Sequence, residues 1–137
     1  MSNAHYPSSR HDRPHARLYD HDLNHAAWRD LSGAEFKLIG YLLAQYRELK
    51  PNSFPVGARR VAAMLRVSEA TAKKAVDALI EKGHLREERR GQSIGRVATR
   101  ERVVSLTRYD TETVKGDPKL PIKLWKQRNA DAPELAN

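Results

Sequence analysis

The stretch Val61–Leu85, VAAMLRVSEATAKKAVDALIEKGHL, carries two helical patterns separated by a break of only two residues. Val61, Ala62 and Leu65 share one face of a short helix, Ala58–Leu65, that begins after Gly57, an acceptable though not first-choice N-cap. Arg66 and Val67 then intervene before Ser68, whose hydroxyl is placed to cap a longer helix over 68–82. With Ala72 set at zero on a helical wheel, Val76 and Leu79 fall within about 40 degrees and Ile80 at the margin. The opposite face carries Ala70, Lys74, Asp77 and Glu81, with Lys73 beside it. Gly83 stands where a left-handed residue commonly closes a helix. Glu69, the first residue inside the longer helix, is an acid at the end that would have to meet phosphates if this helix touched nucleic acid.

On the N-terminal side, WRDLSGAEFKLIGYLLAQYRELK places Phe36, Ile39, Leu43 and Tyr46 on one stripe and Leu38, Leu42 and Leu49 on the next, which is helical spacing. Ser32 and Glu35 form a capping box at its start, and the proline of KPNS predicts a stop near Lys50. SFPV reads as a short extended segment. On the C-terminal side, HLREERR and RVATRERVVSLTRY flank the Gly-bounded turn GQSIG and read as a hairpin, its second arm strengthened by Val103, Val104 and Leu106. DTETVKGDPK is a linker, and LPIKLWKQR can form a short amphipathic helix after Pro121, with Leu124 and Trp125 placed either for a homodimer contact or to fold back onto Trp28 and the first helix. Residues 1–27 mix His, Arg, Asp, Pro and Ser with few apolar groups and read as a flexible arm. The expected organisation is therefore an arm over 1–27, a domain over 28–110 and a linker with a helical tail over 111–137.

Charge narrows the class of partner. The net +8 is concentrated in the middle: Arg59–Arg108 holds 13 Lys/Arg against 6 Asp/Glu, a net of +7, whereas Met1–Asp30 balances four against four. A basic centre between near-neutral flanks favours a polyanion such as nucleic acid over a merely solubilising surface. The absence of cysteine excludes disulfides, thiolate metal sites and cysteine nucleophiles. No apolar run approaches the roughly 18 residues of a membrane span and no signal-peptide core stands out, so a cytoplasmic protein is expected. His11 and His15, and His21 and His25, are each four apart, but Pro14 breaks the first pair and nothing anchors the arm. No metal or other cofactor is expected. No nucleophile–base pair, phosphate loop or carboxylate dyad stands out either, so an enzyme is not expected.

The order helix, short strand, short helix, tight turn, capped helix, glycine, hairpin resembles a winged helix-turn-helix domain over roughly Trp28–Tyr109, most like small phage- and plasmid-type proteins, some of which start replication and others regulate transcription. The fold class this implies is mainly α with a small β-hairpin, three helices plus a two- or three-stranded wing. The chain departs from the family pattern at Arg66, where Gly is usual, and at Gly57, where Ser or Thr is usual. The resemblance implies that the helix over 68–82 enters the major groove of double-stranded DNA and that the wing lies on the backbone or in the minor groove. On the residues themselves, Ser68 and Thr71 can bond phosphates or base edges, with a cap and helix packing as their plainer roles. Glu69 can accept from a cytosine amino group, and Lys73 and Lys74 suit phosphates. Arg59 and Arg60 can clamp the backbone. The wing supplies Arg86, Arg89, Arg90, Arg96, Arg100 and Arg102, with Gln92 at its tip, six arginines in 17 residues. The expected function is sequence-specific DNA binding by a small transcriptional regulator. The alternatives are a replication initiator that recruits replication proteins, and a winged helix turned to protein contacts through Glu69, Asp77 and Glu81.

Overall fold

The two longest helices begin where the sequence supplies a side-chain acceptor to cap them. In the computed structural model, which describes residues 15–94 and 97–130 with backbone alone at 92–94 and 97–99, Ser32 Oγ accepts the Glu35 amide at 3.2 Å while Glu35 Oε1 accepts the Ser32 amide at 3.2 Å. That capping box opens helix α3 (Gly33–Gln45), preceded by two single-turn helices, α1 (Asp20–Leu23) and α2 (Ala26–Arg29). Strand β1 (Phe54–Pro55), α4 (Ala58–Leu65) and α5 (Glu69–Glu81) follow. Then come β2 (Leu85–Arg89), β3 (Gln92–Ile94), β4 (Val97–Arg100), β5 (Val103–Leu106) and α6 (Leu120–Arg128). The architecture is α+β.

Burial decides how these elements pack. Leu38, Ile39, Leu42 and Leu43 of α3 meet Val61 and Leu65 of α4, Ala72, Ala75, Val76 and Leu79 of α5, and Leu85, Val104 and Leu106 of the sheet in one core. Each large aliphatic side chain buried there contributes roughly 1.5–3 kcal/mol, against about 1 kcal/mol for a helix cap. The caps therefore fix where helices start, and the core supplies the stability.

β5 is the central strand of a three-stranded antiparallel sheet ordered β1–β5–β2, with Phe54 and Glu87 both opposite Val104 and Leu85 opposite Leu106. Where β1 is too short to continue the ladder, Asn52 extends it by side chain: its Nδ2 donates to Leu106 O and its Oδ1 accepts Leu106 N–H, both at 2.8 Å. The expected single hairpin is divided. β2 is irregular between Glu87 and Arg89, and beyond it β3 and β4 pair with each other as a separate two-stranded ribbon.

The turn between α4 and α5 is left-handed at Arg66 (φ 58°, ψ 51°), the position where the sequence lacks glycine. Holding a side chain there costs on the order of 1 kcal/mol, which the buried Leu65 and Ala72 on either side outweigh. Gly83 closes α5 at φ 88° as expected, and a Cβ there would lie 2.5 Å from Leu124 Cδ1 of α6.

Three expectations are corrected. α3 ends at Gln45 rather than near Lys50, because Tyr46 leaves the helix (φ −62°, ψ 138°) to stack on Tyr109 at 3.7 Å. Arg47 then satisfies the loose end by donating to Ala44 O and Tyr46 O, and each of the two apolar stripes has an exposed member, Phe36 on one and Leu49 on the other. The boundary drawn at residue 27 falls inside α2, and the preceding segment is folded from Asp20, with Asp22 buried against Lys119 Nζ at 2.7 Å. The rest of the expected arm, residues 1–14, lies outside the described residues, as do the last residues after Ala130. Of the two expectations for Trp125, the fold-back is met in part: α6 packs against α2, the helix that holds Trp28, and the Trp125 ring meets His25 there edge-on at 5.2 Å. His25 itself caps α2 through Nδ1, so this histidine of the spaced pairs has a structural partner.

His84 ties the sheet to α2. It is 3% exposed, its Nε2 lies 3.2 Å from Ala27 O, and its ring meets Trp28 edge-on at 4.6 Å. Burial lowers its pKa to about 4 from 6.5, so the folded protein holds it neutral where the unfolded chain would protonate it. Its stabilising effect is complete above pH 6.5 and is lost as pH falls toward 4, on the order of 3 kcal/mol in total. Denaturant titrations should show stability falling between pH 6.5 and 5, above the carboxylate range, and His84→Gln should flatten that slope; a slope unchanged by the substitution would rule out His84 as its source. Asn52→Ala should cost about 2–3 kcal/mol at neutral pH, because it strands both backbone groups of buried Leu106.

Candidate functional site

The ribbon β3–β4 is held to the helices by two neighbouring residues, Glu101 and Arg102, at the corner between β4 and β5. Glu101 Oε2 accepts the Gly57 amide at 3.0 Å and Arg60 Nε at 2.7 Å, while Oε1 accepts Arg60 Nη2 at 2.9 Å. Glu101 thus caps α4 from 44 residues away. A Cβ on Gly57 would sit 2.8 Å from Glu101 Oε2, which explains why no Ser or Thr occupies this cap. The Glu101 backbone carbonyl accepts both Arg89 Nε and Nη2 at 3.0 and 2.9 Å. Arg60 and the Gly57 amide hold the Glu101 carboxyl below its ordinary pKa, against the opposing effect of partial burial.

Arg102 faces the other helix. Its Nη1 pairs with Asp77 of α5 at 2.7 Å and its Nε bonds Glu87 of β2. The side chain is only 16% exposed, and burial alone would lower its pKa; the two carboxylates outweigh that and raise it. Val56 N–H donates to Arg102 O at 2.8 Å, so the backbone at this corner also continues the β1 edge. Asp77 is therefore a structural partner of the corner.

Around this joint lie cations with no partner. Arg59 at the start of α4, Arg66 in the turn, Lys73 and Lys74 on α5 and Arg100 on β4 are exposed, and their side chains make no ion pair or hydrogen bond among the described residues. Lys73 and Lys74 precede Asp77 by four and three residues, one turn along the side of α5 that meets Arg102. Arg90 is also open, its side chain 85% exposed with only a 4.0 Å approach to Glu87. At the helix start, Ser68 Oγ accepts the Thr71 amide at 3.1 Å and donates to Thr71 Oγ1 at 3.0 Å. Both residues are exposed, as is Glu69, so Ser68 is the cap and the Thr71 hydroxyl, which accepts from it, is not buried against α4.

The residues singled out from sequence thus divide. Arg59 on α4, Ser68, Glu69, Thr71, Lys73 and Lys74 at the cap and along α5, Arg90 just past β2 and Arg100 on β4 are exposed. Arg60 and Arg89, expected to grip a backbone, are engaged by Glu101, because that carboxylate and carbonyl are the acceptors within reach. The side chains of Gln92 and Arg96 lie outside the described residues. The joint of Glu101, Arg102 and Asp77, and Arg66 as a free cation, go beyond what the sequence suggests. The only signal available there is the adjacent Glu–Arg pair between two strands, which does not by itself name partners 41 residues away.

Compared with protein-family models, curated proteins and solved structures, the chain matches none of them.

Glu101→Gln should lower global stability only modestly, about 0.2–1 kcal/mol, since the Arg60 pair is half-exposed and screened. Its local effect should be larger: amide exchange at Gly57 and Val56 should accelerate while that of Val104 and Leu106 does not. The wild-type carboxylate stabilises above its ordinary pKa of 4.5 and loses this effect as pH falls through its lower folded value, so protection of the Gly57 amide relative to its intrinsic exchange rate should fall on acidification in the wild type alone.

Proposed function

We propose that this chain is a sequence-specific double-stranded DNA-binding protein of winged helix-turn-helix architecture, acting as a small bacterial or phage- or plasmid-type transcriptional regulator. In this reading α5 enters the major groove N-terminus first, and the ribbon β3–β4 serves as the wing on the backbone or minor groove. The observation that carries it is the set of unpartnered cations on α4, the turn, α5 and β4, gathered around a corner whose other arginines are neutralised internally. A polyanion is the partner that this distribution suits.

Roles follow from chemistry. Lys73, Lys74, Arg59, Arg66 and Arg100 contact phosphates as charges. Ser68 and Thr71 supply short hydroxyl contacts at the helix start, and Glu69 is the acceptor within the groove. Arg60, Arg89 and Arg102 act at one remove, by fixing the angle between wing and helix. The reading in which α5 meets a basic protein has less support, since one of its three acids, Asp77, is already paired with Arg102.

If each of the five free cations neutralises one phosphate, the slope of log affinity against log salt should be roughly −4.5. Lys74→Ala should reduce its magnitude by about 1 and weaken all sequences alike. Selection of bound fragments from random duplexes should return a motif, with a palindrome indicating a dimer. Absence of binding at low salt refutes the proposal.

A further inference from the structure

β5 runs from the Glu101–Arg102 corner to Leu106, and at its far end, away from the ribbon, lies an open groove of about 410 Å³ lined by His15, Arg17, Tyr19, Arg108, Tyr109 and Pro118. That volume lies within the roughly 300–1,000 Å³ that holds small-molecule ligands. Its lining residues include two arginines and two tyrosines and, among the described residues, no acid. The three acids next in chain to lining residues are engaged elsewhere: Asp20 accepts from Asn24 Nδ2 at 3.2 Å, Asp110 from the Gly116 amide at 2.6 Å, and Asp117 from the Lys119 amide at 3.0 Å and Lys123 Nζ at 2.8 Å.

The groove is built, not incidental. Arg108 Nη1 donates to Arg17 O at 3.0 Å, and its guanidinium carbon lies 6.0 Å from the Tyr19 ring centre and 5.8 Å from that of Trp28. Arg108 is thereby held in place by rings and a carbonyl, with no acid to neutralise it among the described residues. Tyr109 is fixed in turn by its stack on Tyr46. A pre-positioned cation beside fixed aromatic rings loses little entropy on meeting a ligand.

We infer that this groove binds a small anion carrying a planar ring, its phosphate or carboxylate held by Arg17 and Arg108 and its ring against Tyr19 and Tyr109. A guanidinium fork matches either oxyanion, and the phenol rings favour an aromatic body over a bare ion. This site is independent of DNA binding, because it is formed by different residues at the other end of the strand.

The test is titration of the full-length protein with phenyl phosphate and with benzoate, followed by NMR shifts of the Tyr19, Tyr109 and Trp28 rings. Inorganic phosphate and benzyl alcohol serve as the single-feature comparisons. Saturable binding by one or both aromatic anions is expected, about tenfold tighter than either comparison, and the tighter of the two identifies the oxyanion. Arg108→Gln could disturb the Trp28 packing, so the deciding variant is Arg17→Gln, whose guanidinium has no partner among the described residues. It should weaken binding about tenfold at an unchanged melting temperature, while Lys74→Ala leaves the affinity intact. No saturable shift in the millimolar range, equal affinity in Arg17→Gln, or loss of binding in Lys74→Ala instead would overturn the inference.

Discussion

Two adjacent side chains of opposite charge, Glu101 and Arg102, have to satisfy two helices at once, and the geometry of the whole basic end depends on it. Glu101 closes the N-terminus of α4 and binds Arg60; Arg102 binds Asp77 of α5 and Glu87 of β2. Either contact alone would leave the ribbon free to pivot about the other. Together they set the ribbon against both helices. The Arg102 half carries the greater consequence, because a guanidinium so little exposed is costly without its partners, whereas the Arg60 half is screened by water. The same joint bears on the sequence nearby: a side chain at position 57 would displace the Glu101 carboxylate from its present place.

Net charge is a poor guide to what this surface can attract until internal pairs are removed. Lys82 is held by Glu35 and Asp30 O, Lys119 by Asp22, Arg60 and Arg89 by Glu101, and Arg102 by Asp77 and Glu87. These groups organise the fold. What remains available near α5 is a smaller set, Arg59, Arg66, Lys73, Lys74 and Arg100, with Arg90 only loosely approached. The proposed DNA contact rests on that set and not on the overall +8.

Signals confined to one turn of chain were legible in the sequence. Ala58–Leu65 coincides with α4 residue for residue, the Ser32–Glu35 box and the Ser68 cap are present, and Gly83 is left-handed. Each depends on neighbours within four residues, so pattern and structure share a cause. What was not legible depends on partners far away in sequence. α3 stops early because Tyr46 finds Tyr109, and α1 and α2 form against α6 and His84 although their own composition would not support a helix. The allocation of arginines between joint and surface is of this kind too, since Arg60 and Arg59 differ only in which one faces Glu101.

The acids of α5, which sit oddly on a helix proposed to meet phosphates, differ in what they bind. Asp77 belongs to the joint, and its charge is cancelled by Arg102. Glu69 is different: it is exposed and its carboxylate makes no bond among the described residues. Its favourable interaction with the helix dipole contributes about 0.3–1 kcal/mol, small beside the burial of Ala72, Val76 and Leu79 on the same helix and additional to a cap that Ser68 already provides. Stability therefore gives little reason for a carboxylate at this position. Within the proposed contact, an acceptor placed among Lys73 and Lys74 reduces their attraction for phosphates in general, and it returns that loss only where a base offers a donor, as the cytosine amino group does. A helix built this way gives up affinity for arbitrary DNA in exchange for discrimination, while the flanking cations supply the attraction that Glu69 subtracts.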